Sequence, residues 1–110
     1  PPRLRDFDYI GRYSYHLEFT TFDRRPLFEA TENVELVRTQ LSRACTEKAF
    51  AVAAWCFMPD HLHIVIDGLR DDSDAKRFVS VFKQYSGFYF KQARRETLWQ
   101  RSKTRHHCGT

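Results

Sequence analysis

The chain has 110 residues, 42% hydrophobic and 15% aromatic, which makes one domain the default and supplies enough apolar surface for a core. Four Gly and four Pro exclude collagen-like and low-complexity classes, the aromatic share excludes a disordered chain, and no apolar run approaches the roughly 18 residues that span a bilayer. Eighteen basic against 14 acidic side chains leave a net charge of +4, which permits nucleic-acid binding without establishing it.

Residues 1–11 are a charged leading segment without the apolar stretch of a secretory signal. The chain starts at Pro1 and has one methionine, Met58, so the expectation is that a longer protein has been cut or processed. From Tyr13 to Phe22 the residues alternate, with Tyr13, Tyr15, Leu17 and Phe19 on one side and Ser14, His16, Glu18 and Thr20 on the other. That is the period of a strand. Asp23-Arg24-Arg25-Pro26 breaks it. Thr31 is the expected N-cap of a helix to about Lys48, carrying Val34, Val37, Leu41, Ala44 and Cys45 at helical spacing. Phe50 to Phe57, bounded by Pro59, reads as a buried strand, and His61 to Asp67 as a second strand rich in β-branched residues. Acidic residues up to Asp74 suit a helix N-terminus. Phe78, Val81, Phe82, Tyr85, Phe88 and Tyr89 then recur at three and four, giving a helix to about Arg94 with Gly87 inside it. Leu98-Trp99-Gln100 opens an expected last strand, and His106-His107 are expected at a ragged end.

The order strand, helix, strand, strand, helix, strand is that of an α+β, ferredoxin-like split βαβ fold. One antiparallel sheet carries both helices on one face and leaves the other face open. No linker divides the chain, so residues 1–110 form one domain.

Cys45, Cys56 and Cys108 match neither a disulfide framework nor a zinc ribbon. Cys56 lies in an apolar stretch and is expected to be buried, and a reduced, cytoplasmic protein follows. Basic residues gather at Arg24-Arg25 and from Lys91 through Arg94, Arg95, Arg101, Lys103 and Arg105, with Glu96 the one acid in that run. A solvated face is the ordinary meaning of such a run.

The segment richest in chemistry is Met58-Pro59-Asp60-His61-Leu62-His63. His61 and His63 are two apart on a strand, so both point to one face while Leu62, Ile64 and Ile66 point to the core. Two imidazoles side by side on an open sheet face can hold one divalent cation and leave positions for a third ligand, water and substrate oxygens. His16 projects toward the same face if the register allows. A bare His-x-His is also found as two half-exposed histidines without a role.

These residues resemble the HUH endonuclease superfamily, whose mark is a His, a bulky apolar residue and a His on a strand. The likeness extends through Tyr15-His16-Leu17, Arg24-Arg25-Pro26-Leu27-Phe28, Ala54-Trp55-Cys56-Phe57-Met58-Pro59-Asp60-His61-Leu62-His63, Phe82-Lys83-Gln84-Tyr85-Ser86 and Leu98-Trp99-Gln100-Arg101, in that order. The set is most similar to single-tyrosine transposases of the REP-associated kind. The resemblance implies a metal-dependent single-stranded DNA endonuclease and strand transferase that works through a 5′-phosphotyrosine intermediate. It implies Mg²⁺ or Mn²⁺ on His61 and His63, and single-stranded or hairpin DNA as partner, with homodimers among relatives and no membrane. Arg24, Arg25, Arg94 and Arg95 are the expected DNA contacts.

One departure accompanies the likeness. The family's nucleophilic tyrosine sits on a helix that follows the segment matched by Leu98–Arg101, whereas this sequence has no tyrosine after Tyr89. The expectation is a chain truncated before that helix, with the tyrosine position beyond Thr110. Tyr85 is a substitute whose place in the apolar stripe speaks for the core. A nucleic-acid-binding module of RRM-like architecture, without chemistry, is the alternative; it lacks the Lys/Arg-Gly-Phe-x-Phe type of segment. A small ferredoxin-like metabolite or metal-binding domain has only the fold pattern in its favour.

Overall fold

In the computed structural model, residues 9–101 and 105–108 are described. Strand β1 runs Ser14–Thr20, helix α1 Thr31–Lys48, β2 Phe50–Met58, β3 His61–Gly68, α2 Ala75–Arg94 and β4 Arg105–Cys108. Two short 3-10 turns, Phe22–Arg24 and Leu27–Glu29, join β1 to α1. The sheet order is β2-β3-β1-β4, and every neighbouring pair is antiparallel. This is the ferredoxin-like α+β arrangement.

Alternation along the two central strands decides the layers. Tyr15, Leu17 and Phe19 of β1 and Leu62, Ile64 and Ile66 of β3 are buried under the helices. They meet Val37, Leu41 and Ala44 of α1 and Phe78, Phe82 and Phe90 of α2. Each large apolar side chain buried there contributes about 1.5–3 kcal/mol. Phe19 and Phe82 pack edge to face with ring centroids 5.0 Å apart, a geometry that aromatic quadrupoles favour.

Both helices begin and end within a residue of the expected positions, but the caps differ. Ala30, not Thr31, is the N-cap of α1, and no side chain caps it. Asn33 organises that end instead: its Nδ2 donates to the Leu27 carbonyl at 2.7 Å. Helix α2 is capped as its sequence suggests, by Asp74, whose Oδ1 accepts from the Arg77 amide at 3.2 Å. The loop before it is pinned by buried Ser73, which donates from Oγ to the Ala49 carbonyl at 2.7 Å. Where this loop meets the leading segment, the Gly68 backbone passes so close to Gly11 that a Cβ on Gly68 would sit 2.0 Å from the Gly11 carbonyl oxygen. Only glycine allows that approach.

Three expectations are corrected. Strand β2 is not a buried strand but an edge strand: it pairs with β3 alone, and of its residues only Phe50 is fully buried. Cys56 is accordingly exposed. Sequence alone cannot distinguish an apolar edge from an apolar centre, because both read as a short hydrophobic run. Phe88 and Tyr89 leave the core stripe and are exposed; the buried row of α2 is Phe78, Phe82, Ser86 and Phe90. Finally, Leu98–Gln100 makes only one bridge, Thr21 to Trp99, and the last strand is Arg105–Cys108, paired with Tyr15–Glu18. His106 and His107 therefore lie in β4, opposite Leu17 and His16.

Candidate metal and nucleic-acid site

The open face of the sheet is polar because the odd residues of β3 and the even residues of β1 point away from the helices. The register sets Glu18 opposite His63 and Thr20 opposite His61. His61 and His63 stand edge to face with ring centroids 4.7 Å apart. His63 Nε2 is 4.0 Å from Glu18 Oε2. One ligand atom from each of Glu18, His61 and His63 lies within 4.8 Å of the others. Two imidazole nitrogens and a carboxylate oxygen on an open face suit a divalent cation that retains free positions.

Support comes from the hairpin that feeds β3. Pro59 and Asp60 form the two-residue turn between Met58 and His61, which pair with each other. That turn is tied to the loop after β1. The Thr21 amide donates to the Asp60 carbonyl at 3.0 Å, the Thr21 hydroxyl is shared between the Arg25 carbonyl at 2.8 Å and the Asp60 carbonyl at 3.1 Å, and the Phe28 amide donates to the Pro59 carbonyl at 3.0 Å. The Asp60 carboxylate then reaches two ways, with Oδ1 2.8 Å from His61 Nδ1 and Oδ2 2.9 Å from Arg24 Nη2. The hydrogen bond from His61 is the largest influence on Asp60. Burial works against it, but with the Arg24 hydrogen bond and charge the carboxyl is held below the usual range.

The arginines separate. Arg24 is brought to the histidines through Asp60. Arg25 pairs with Glu96 at the rim. Arg94 donates from Nε to Asn33 Oδ1 at 2.9 Å, on the helical side, and Arg95 caps α2 in the left-handed conformation. His16 is on the open face, opposite Val65, in a shallow depression with Glu18 and His63, but outside the ligand set. Sequence reading placed Glu18 on the same face as His16 without recognising it as a ligand. The pairing of Glu18 with His63 depends on register, which no local pattern reveals.

All five tyrosines lie off the open face. Tyr9 and Tyr15 are in the core, and Tyr13 shares the helix-side parity of Tyr15. Tyr85 hydrogen-bonds Glu47 of α1 through its hydroxyl, and Tyr89 is on the outer side of α2. No described helix is long and apolar enough to cross a membrane.

A family model described as "Transposase IS200 like" matches residues 9–110. The chain belongs to this transposase family. The chain is similar in fold to a REP-associated tyrosine transposase bound to a REP hairpin, with a TM-score of 0.76 and 19% identity over the whole chain and 63% of that protein. It is similar to a protein from Deinococcus radiodurans assigned as a transposase, with a TM-score of 0.77 and 19% identity over the whole chain and 85% of that protein. The transposase domain thus spans less than two thirds of the first of these relatives. No curated protein matches it.

Proposed function

We propose that this transposase-family domain binds single-stranded or hairpin DNA over its open sheet face and holds a scissile phosphate above Glu18, His61 and His63. The observation that carries this reading is the convergence of those three side chains, with Asp60 and Arg24 behind them, on the polar face of a family member. A divalent cation such as Mg²⁺ or Mn²⁺ held there would polarise a phosphate oxygen as a Lewis acid. The protein's own part is positioning. Asp60 accepts from His61 Nδ1, which leaves Nε2 free as the ligand atom. Glu18 adds the negative charge that favours a cation over a neutral occupant. Arg24, exposed beyond Asp60, is placed to neutralise a neighbouring phosphate, with Arg25 at the rim. Arg94 and Arg95, on the helical side at the end of α2, would meet only DNA that extends beyond the open face.

In the intact reaction of this class, a tyrosine hydroxyl forms a bond to the phosphorus and the 3′-oxygen leaves, giving a 5′-phosphotyrosine and a free 3′-OH. The five tyrosines of this sequence are not placed for that attack, so within residues 1–110 the domain supplies the metal-holding and DNA-holding half of the reaction. The hairpin bound to the REP-associated relative supports the choice of DNA.

The RRM-like alternative requires rings on the open face for bases to stack upon. Positions of β1, β2 and β3 that face outward are Ser14, His16, Glu18, Thr20, Ala51, Ala54, Cys56, Met58, His61, His63, Val65 and Asp67, with no Phe, Tyr or Trp. That composition favours phosphate and metal chemistry over stacking. Titrating Mn²⁺ into the protein and into His61→Ala/His63→Ala tests the reading. Binding to the first and loss in the second is expected; equal affinity contradicts it.

A further inference from the structure

A cleft runs between α2 and the segment that follows it. One wall is a stripe of the helix: Lys83, Gly87 and Lys91 are four residues apart and share one side of it. The other wall is residues 97–101, and the two enclose about 370 Å³. A Cβ at Gly87 would meet nothing within 4 Å, so the stripe is open at its middle, between two lysine stems. Lys83, Lys91 and Arg101 are the charged residues of the lining, and no acid is among them. Arg24 and Arg25 are tied to Asp60 and Glu96, whereas Lys91 and Arg101 pair with no acid among the described residues. The cleft also adjoins the metal-ligand end of the sheet. The Gln100 amide donates to the Thr20 carbonyl at 2.9 Å, Trp99 bridges Thr21, and Thr20 is the strand partner of His61.

We propose that this cleft seats an unpaired nucleotide of the DNA strand beside the scissile phosphate, with its base between Gly87 and residues 97–101 and its phosphates on Lys83, Lys91 and Arg101. The inference rests on the DNA reading and adds to it the path of the strand, from His61 past the end of β1 to the side of α2. Three cations without an acid favour a phosphate backbone. The paired and stacked bases of a duplex cannot descend into a cleft, whereas an unpaired base can. Glycine at the centre leaves room for the ring where a side chain would intrude. The opposite wall is held in advance of binding, because Trp99 Nε1 donates to buried Ser86 Oγ at 2.8 Å. Burial lowers the pKa of Lys83, and a phosphate beside that ammonium favours its charged form.

Fluorescence anisotropy with two labelled DNAs tests the proposal: a blunt hairpin, and the same hairpin with short unpaired extensions at both ends, each measured in EDTA. The extended hairpin should bind about tenfold more tightly, the contribution of one seated base. Gly87→Leu fills the cleft while favouring the helix, and it should reduce the extended hairpin to the affinity of the blunt one. Lys83→Gln/Lys91→Gln should do the same and flatten the dependence of log affinity on log salt by about 0.7 for each lysine removed. Neither variant should change Mn²⁺ affinity, and thermal unfolding checks that both are folded. Equal binding of the two DNAs by the unaltered protein refutes this inference alone and leaves the DNA reading standing. Variants that keep the preference for the extended hairpin also overturn it, and equal competition by polyglutamate would assign the cleft to an acidic protein instead. Binding of neither DNA refutes both readings, whereas a preference for the extended hairpin without any Mn²⁺ binding refutes the metal site and upholds the cleft.

Discussion

Asp60 and His61, adjacent in sequence, are joined by their side chains: Asp60 Oδ1 lies 2.8 Å from His61 Nδ1. The contact fixes the imidazole with its other nitrogen toward the open face, and Arg24 fixes the carboxylate in turn. A chain of Arg24, Asp60 and His61 thus links the loop after β1 to the metal ligands on β3. Removal of such an outer partner weakens metal binding by about 10–100-fold, so Asp60→Asn should lower Mn²⁺ affinity by that factor in a calorimetric titration.

The same contact has a pH signature. The Asp60 carboxyl is held below its ordinary value, so its contribution is present above the unfolded carboxylate pKa and is lost as pH falls through the depressed folded value. Thermal unfolding of the protein and of Asp60→Asn should therefore differ at neutral pH, begin to approach each other near the ordinary carboxylate value of about 4, and converge below the depressed folded value. A difference that grows on acidification would contradict this sign.

A buried polar link holds the segment after α2. Trp99 Nε1 donates to Ser86 Oγ at 2.8 Å, and Ser86 donates to the Phe82 carbonyl at 2.6 Å. Ser86→Ala leaves the indole N–H without that partner in the core, at a cost of about 1–3 kcal/mol. Urea unfolding measures it.

Two glycines should respond in opposite directions. Gly87 is inside α2, and a Cβ there meets nothing within 4 Å. Gly87→Ala should stabilise the domain by about 1 kcal/mol, the difference in helix propensity. Gly68→Ala forces a Cβ into the Gly11 carbonyl and should destabilise by about 3 kcal/mol.

The nucleophile can be tested directly. Tyr85 is bonded through its hydroxyl to Glu47 and lies under Arg43, whose guanidinium is 3.7 Å from the ring centroid. The bond to Glu47 leads the influences that push the Tyr85 phenol up, the opposite of an activated nucleophile. Incubation of residues 1–110 with labelled hairpin DNA and Mn²⁺ should give no denaturation-resistant adduct. An adduct lost in Tyr85→Phe would assign the attack to that residue, and an adduct that survives would assign it to another tyrosine; either contradicts the placement of tyrosines off the open face.

Much of this was legible in the sequence because the central strands alternate strictly. Tyr15, Leu17 and Phe19 against His16 and Glu18 declare two faces, and Leu62 between His61 and His63 declares the same two. What was not legible depends on pairing. The edge position of β2, the exposure of Cys56 and Met58, and the approach of Glu18 to His63 follow from strand order and register, which are long-range facts. The start of α1 escaped for a related reason: Asn33, inside the helix, ties that end to the Leu27 carbonyl of the preceding turn, a role that no terminal motif marks.

The most direct measurement is anomalous diffraction from crystals grown with Mn²⁺. One peak bonded to His61, His63 and Glu18, with open positions toward solvent, is predicted. A peak held without both histidines, or no peak at a Mn²⁺ concentration that supports DNA binding, would contradict the proposed function.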